Sequence, residues 1–163
     1  MRHMLNINII HTGGFKEKYL KDAAAEYQKR ICQYCKFNDI ELKEAPLSDS
    51  PSDAEIKAAL ASEEKKILES IRPGSYSIAL CVEGAQVSST ELADKISKIA
   101  LSGRSTINFI IGSSYGLSDG VKATCEFRLS FSKMTFPHQL MRVILEEQIY
   151  RAFNIINNGK YHK

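Results

Sequence analysis

Two short runs constrain this chain more than any other feature. Residues 75–82 (SYSIALCV) become nearly all apolar, and residues 106–111 (TINFII) are almost wholly so. Neither is long enough for a buried helix, and glycines close both, so they read as strands covered on both faces. Strands with that cover occur in parallel sheets, which need helical crossovers. The rest of the sequence supplies them. Residues 5–10 alternate apolar and polar and predict a first strand. Tyr19, Leu20, Ala23, Ala24, Tyr27 and Ile31 recur at three- and four-residue spacing and predict a helix over 17–35. Residues 37–42 predict a strand, and 46–51 a loop. A helix capped by Ser52 or Asp53 is expected to run to residue 70, where Pro73-Gly74 stops it. Further helices are expected from Ser89 or Thr90 to 101, from Ser118 or Asp119 to 125, and over 138–154. A fifth strand is expected over 127–131. Strictly alternating elements predict an α/β fold with a mainly parallel sheet. At 163 residues, one domain with one sizeable core is expected.

Several classes are disfavoured. No apolar run approaches the length of a membrane span, and the N-terminus lacks a signal-peptide core, so the cytoplasm is the expected location. The strand pattern begins at Met4, which we expect to be the natural start, with residues 1–3 an extension. Cys32 and Cys35 form a C-x-x-C pair, but no second pair or histidine pair stands at zinc-ligand spacing. The pair also falls near a helix end, where thioredoxin-like chemistry would want a helix start. No metal is expected. A dinucleotide fingerprint, a P-loop and a nucleophile elbow are all missing.

Charge is unevenly placed. Residues 120–163 hold seven Lys/Arg against three Asp/Glu, while residues 1–119 hold fifteen against sixteen. The cationic excess of the C-terminal quarter suits a phosphate-bearing partner. Two loops, 111–118 (IGSSYGLS) and 130–137 (SFSKMTFP), follow predicted strands at the ends where open α/β sheets bind ligands. Gly112 and Gly116 permit close backbone approach there, or serve turn geometry alone. The last helix carries a broad apolar surface from Leu140 to Phe153, wider than one sheet needs, so part of it is expected to face a second subunit. Arg142 with Glu146, and Glu147 with Arg151, stand at i,i+4. That spacing fits plain surface ion pairs, or an arginine for phosphate beside a carboxylate near a reacting proton. His138 fits a turn at the helix start as well as a ligand contact. Tyr161, His162 and Lys163 lie too near the end to serve a core.

Taken in order, Ile111-Gly112, Gly116-Leu117-Ser118, the run from Leu129 through Phe136-Pro137-His138, Arg142, Tyr150-Arg151-Ala152-Phe153 and Tyr161-His162-Lys163 resemble the RlmH family. These are small SPOUT-class methyltransferases acting on N3 of a pseudouridine in large-subunit (23S) ribosomal RNA. The resemblance covers essentially the whole chain. It implies one SPOUT domain over 1–163, a C-terminal trefoil knot over about 106–155, a tail over 156–163, a homodimer, and S-adenosylmethionine as cofactor. Carried over residue by residue, the cofactor contacts are Leu80, Gly112, Phe131, Ser132, Lys133, Met134, Thr135 and Phe136. Glu147 or His162 would handle the N3 proton, and Arg142 would act with them. His138, Arg142, Arg151, Tyr161 and Lys163 would face RNA, Tyr161 by packing on the base. The tail could serve the partner subunit's pocket. The chain departs from the family pattern in having Ser113 where a second glycine is common, and Lys160 before Tyr161. The alternatives are a non-catalytic ribosome-binding or assembly factor on the same fold, told apart by cofactor binding, and a SPOUT enzyme acting on tRNA.

Overall fold

The computed structural model describes residues 4–163, so the expectation for residues 1–3 lies outside the described part. Five strands, β1 (Asn6–Thr12), β2 (Lys36–Leu42), β3 (Tyr76–Gln86), β4 (Thr106–Ile111) and β5 (Phe127–Ser130), alternate with α1 (Lys18–Ile31), α2 (Asp53–Ser70), α3 (Ser89–Leu101), α4 (Asp119–Thr124) and α5 (His138–Ile156). The strands form one sheet in the order β2-β1-β4-β3-β5, and every pairing is parallel.

The apolar runs are covered on both faces, as their composition demands. Ile7, Ile9, Ile78, Ile107, Phe109 and Ile111 point to one side, where α1, α3 and α5 supply Ile31, Leu92, Ile96, Leu145, Ile149 and Phe153. α5 packs against both α1 and α3. On the opposite face, Ile10, Ala79 and Ile110 meet Ile67 of α2, Val121 of α4 and Leu117. That second face is not wholly apolar. Asn38 donates to Asn8, Asn8 donates to Asn108, and Asn108 donates to the hydroxyls of Ser75 and Ser77, at 2.8–3.1 Å. Asn38, Asn8 and Asn108 stand side by side in register, so their side chains form one polar chain across four strands.

Boundaries differ from expectation where local chemistry intervenes. α1 ends at Ile31, so the C-x-x-C pair lies in the turn after it. Cys35 is buried and its thiol is pushed up to about 12, mainly by desolvation, which makes it inert rather than redox-active. α3 is capped by Ser88, not Ser89 or Thr90, because Glu91 stands three residues on and closes a capping box. β3 does not stop at Val82. It leaves its pairing after Leu80, arches out, and pairs with β5 again at Ala85 and Gln86.

Candidate cofactor cleft and tail cluster

The arch in β3 opens the principal cleft. Leu80–Glu83, the loop after β4, the loop after β5 and the start of α5 surround a space of about 750 Å³, inside the roughly 300–1,000 Å³ usual for small-molecule sites. It lies at the carboxyl ends of β3, β4 and β5, where the open-sheet rule places ligands. Of the expected cofactor residues, Leu80, Gly112, Phe131, Ser132, Met134, Thr135 and Phe136 line it, and Lys133 does not. His138 and Met141 line it too. Burial pulls the His138 imidazole below its ordinary range, which favours the neutral ring.

Gly112 is a glycine for a steric reason. A Cβ there would overlap the Gly116 carbonyl group and come 2.9 Å from the Leu117 nitrogen, all of it backbone. Gly116 takes φ +81°, and its N–H donates to the Ser113 carbonyl at 2.8 Å, closing a tight turn. The loop therefore presents close-set main chain to the cleft, the surface expected of a site that reads a cofactor through backbone groups. Ser130 donates to the Ser132 carbonyl, and Ser132 accepts from the Met134 N–H, which folds the second loop around the same space. The residues fit a small cofactor with polar and apolar parts.

Sequence reasoning missed three contributors. The Cys81–Glu83 arch was read as a strand end. Lys122 of α4 reaches its rim and pairs with Glu83, and this partner holds the Glu83 carboxyl below its usual range. Glu63 of α2 accepts the Ser113 hydroxyl at 3.0 Å from outside the cleft, and burial pushes its carboxyl upward. A glutamate in a polar helical run carries no local sign of such a role.

A second group of expected residues assembles elsewhere, along the other half of α5. Arg151 donates to Glu147 through Nε (3.0 Å) and Nη2 (2.6 Å), and Tyr161 donates its hydroxyl to the same oxygen at 3.0 Å. Burial and that bond push the Tyr161 phenol up to about 12, so it stays a donor. Its ring packs edge-on against Tyr150 at 4.8 Å, with the Arg151 guanidinium 4.6 Å from its centre. The Tyr161 N–H donates to Asn154. His162 is exposed, with Nδ1 3.3 Å from Arg151 Nη1. Lys163 is exposed at the end. The tail is thus docked by specific bonds.

Arg142 belongs to neither group. It is buried, donates to Asp39 at 3.0 Å, lies 3.3 Å from His11 Nδ1, and stacks 3.8 Å from the Phe15 ring. Asp39 also takes His11 Nε2 at 2.7 Å. Burial alone would raise its carboxyl, but the His11 bond and the Arg142 charge hold it low. Glu146, wholly buried beside Arg142, is pushed up to about 7, chiefly by desolvation. Within this chain Arg142 therefore ties α5 to β1 and β2, and its guanidinium does not face solvent.

Comparison with known proteins places this geometry. The family model for predicted SPOUT methyltransferases matches residues 5–162. The chain belongs to the SPOUT methyltransferase family. S-adenosylmethionine is the methyl donor of that family. Ribosomal RNA large subunit methyltransferase H of Clostridioides difficile is 49% identical over 98% of this chain and 100% of its own length. The protein of that name from Bacillus pumilus is 48% identical with the same coverage. The solved tRNA (m1G37) methyltransferase of Aquifex aeolicus matches with a TM-score of 0.54 over 91% of this chain and 69% of that one, at 12% identity, a likeness of fold. Among the described residues no helix is long and apolar enough to cross a membrane, and no group of three His, Cys, Asp or Glu is placed to hold a metal.

Proposed function

We propose that this SPOUT methyltransferase methylates N3 of a pseudouridine in large-subunit (23S) ribosomal RNA, acting on the ribosome as a cytoplasmic homodimer. The observation that carries the reading is the glycine-cradled cleft, in a chain that matches two ribosomal RNA large subunit methyltransferases H end to end. Leu80, Gly112 and the 131–136 loop would hold S-adenosylmethionine, which supplies an activated methyl group when bound. The protein then has to align the acceptor nitrogen and remove its proton.

We assign proton removal to the tail cluster. His162 takes the N3 proton. Glu147 fixes Arg151 and Tyr161, and Arg151 stabilises negative charge on the base. Tyr161 packs on the base, while His138 and Lys163 contact the RNA. Arg142 holds α5 in place. These groups stand apart from their own cleft: from Met141, the last α5 residue lining it, to Glu147 is about 9 Å of helix. A dimer that lays one protomer's tail against the partner's cleft removes the gap. The half-buried Ile144 and the exposed Leu140, on the side of α5 left open by α1 and α3, support such an interface. We also read residues 106–155 as the family's trefoil knot and 156–163 as its tail. Family membership supports this, as does the path from central β4 out to edge β5 and back to α5.

The test is methyl transfer from labelled S-adenosylmethionine to ribosomes from cells lacking this modification, followed by mapping of the product. Label on N3 of a pseudouridine in 23S RNA is the expected result. Cofactor binding by the folded dimer with label on tRNA alone would replace the substrate. Absence of both binding and transfer would favour a non-catalytic ribosome-binding factor.

A further inference from the structure

One buried carboxylate has no part in the chemistry above. Glu63 lies midway along α2 and is 4% exposed. One carboxylate oxygen accepts the Ser113 hydroxyl at 3.0 Å. The other oxygen, Oε2, is buried and has no partner among the described residues. Burying a carboxylate this way is costly, and an apolar side chain of similar size would pack against the neighbouring Ile67 layer without that cost. The carboxylate is placed where its one side-chain donor belongs to the cleft.

Ser113 is the residue after Gly112. It lines the cleft, its carbonyl closes the turn to Gly116, and the two residues form an isolated bridge. The Glu63 bond therefore reaches the turn at its first residue. It also turns the Ser113 hydroxyl toward α2. We propose that Glu63 is a positioning residue for the cofactor loop, acting through the Ser113 hydroxyl to hold the 112–116 turn in its receiving shape. Glu63 does not itself line the cleft. Without it the turn samples other shapes, and the cost of ordering it is charged to cofactor binding. The inference rests on the cleft being the S-adenosylmethionine site.

The experiment is calorimetric titration of the full chain with S-adenosylmethionine, paired with steady-state methylation of ribosomes. It uses wild type, Glu63→Ala, Glu63→Gln, Ser113→Ala and the Glu63→Ala/Ser113→Ala double variant. Each alanine variant should weaken cofactor binding about tenfold, the value of one charge-assisted hydrogen bond. The double variant should be no weaker than the worse single one. Glu63→Gln keeps an acceptor for Ser113 and should recover most of the affinity. KM for S-adenosylmethionine should rise, with kcat at saturation and KM for ribosomes unchanged. Additive losses in the double variant, or a fall in kcat with both KM values altered, would overturn the proposal. If Glu63→Ala does not fold, Ser113→Ala decides: unchanged binding sinks it. Wild-type protein that binds nothing removes the cleft reading and this inference with it. Wild-type binding with Glu63→Ala unaffected removes this inference alone.

Discussion

The cleft and the tail cluster lie toward opposite ends of α5 and are built by opposite means. The cleft is shaped by main chain. Gly112 leaves no room for a side chain, Gly116 adopts a left-handed turn, and β3 arches away from its partner to make space. The tail cluster is shaped by side chains: Glu147, Arg151 and Tyr161 fix one another at 2.6–3.0 Å. A backbone site tolerates change in its side chains but not in its glycines. A side-chain cluster loses function one group at a time. The two regions should therefore fail differently, cofactor affinity marking the first and turnover the second.

The sharpest way to break the comparison is to remove Tyr161, His162 and Lys163. Methylation should fall by about 10³ or more, in the range of lost acid–base catalysis plus positioning. Cofactor affinity and melting temperature should stay near wild type, measured by titration and thermal unfolding. Retained turnover would show that the tail has no chemical role. The mirror experiment is Gly112→Val, which should weaken S-adenosylmethionine about a hundredfold, in line with a few kcal/mol of overpacking against backbone. The Tyr150–Tyr161 packing should persist, read by tyrosine ring signals in NMR. Remixing these two inactive proteins sharpens the point. If tails serve the partner's cleft, about a quarter of the sites are restored by random pairing of protomers. If each tail serves its own cleft, no activity returns.

Smaller effects follow within the cluster and the core. Glu147→Gln weakens the hold on Arg151 and should lower kcat about tenfold with unchanged KM for S-adenosylmethionine, by loss of one charge-assisted contact. His162→Ala should be rescued in part by added imidazole, and no rescue would move the proton to another group. Glu146 gives the smallest change. Burial pushes its carboxyl up from the ordinary 4.5 to about 7 in the folded chain, so the native state holds more protons between those values. This group's contribution is therefore fully present below about pH 4.5 and is lost as pH rises toward 7. Glu146→Gln should flatten that part of a melting-temperature profile between pH 5 and 8; a profile identical to wild type would exclude Glu146 as the titrating group.

Much of this was legible in the sequence, and the rest was hidden for identifiable reasons. The strand and helix order followed from apolar periodicity, since two-sided burial leaves no alternative composition for residues 106–111. The cleft loops were legible as glycine- and serine-rich strand ends. The re-pairing of β3 with β5 was not, because Glu83-Gly84 reads as a stop. What it depends on is the close approach of Gly84 to the backbone of Arg128 and Leu129, over forty residues away. The burial of Arg142 was hidden because its i,i+4 partner was visible while the groups that bury it, Asp39 and Phe15, are more than a hundred residues distant. The Ser88 cap carried its signature in Glu91, and was missed because Ser89 and Thr90 offered the same chemistry one and two residues later.

The asparagine chain across the sheet bears on how the molecule comes to exist in time. β1 is made first, yet it ends between β2 and β4, and β4 emerges about a hundred residues later. Until then one edge of β1, with Asn8 half satisfied by Asn38, is open to any passing strand. A slip of one residue on β4's arrival would send Asn108 into the isoleucine layer and leave both amides without partners. The polar rung thus favours the one register in which β4 brings its amide level with Asn8.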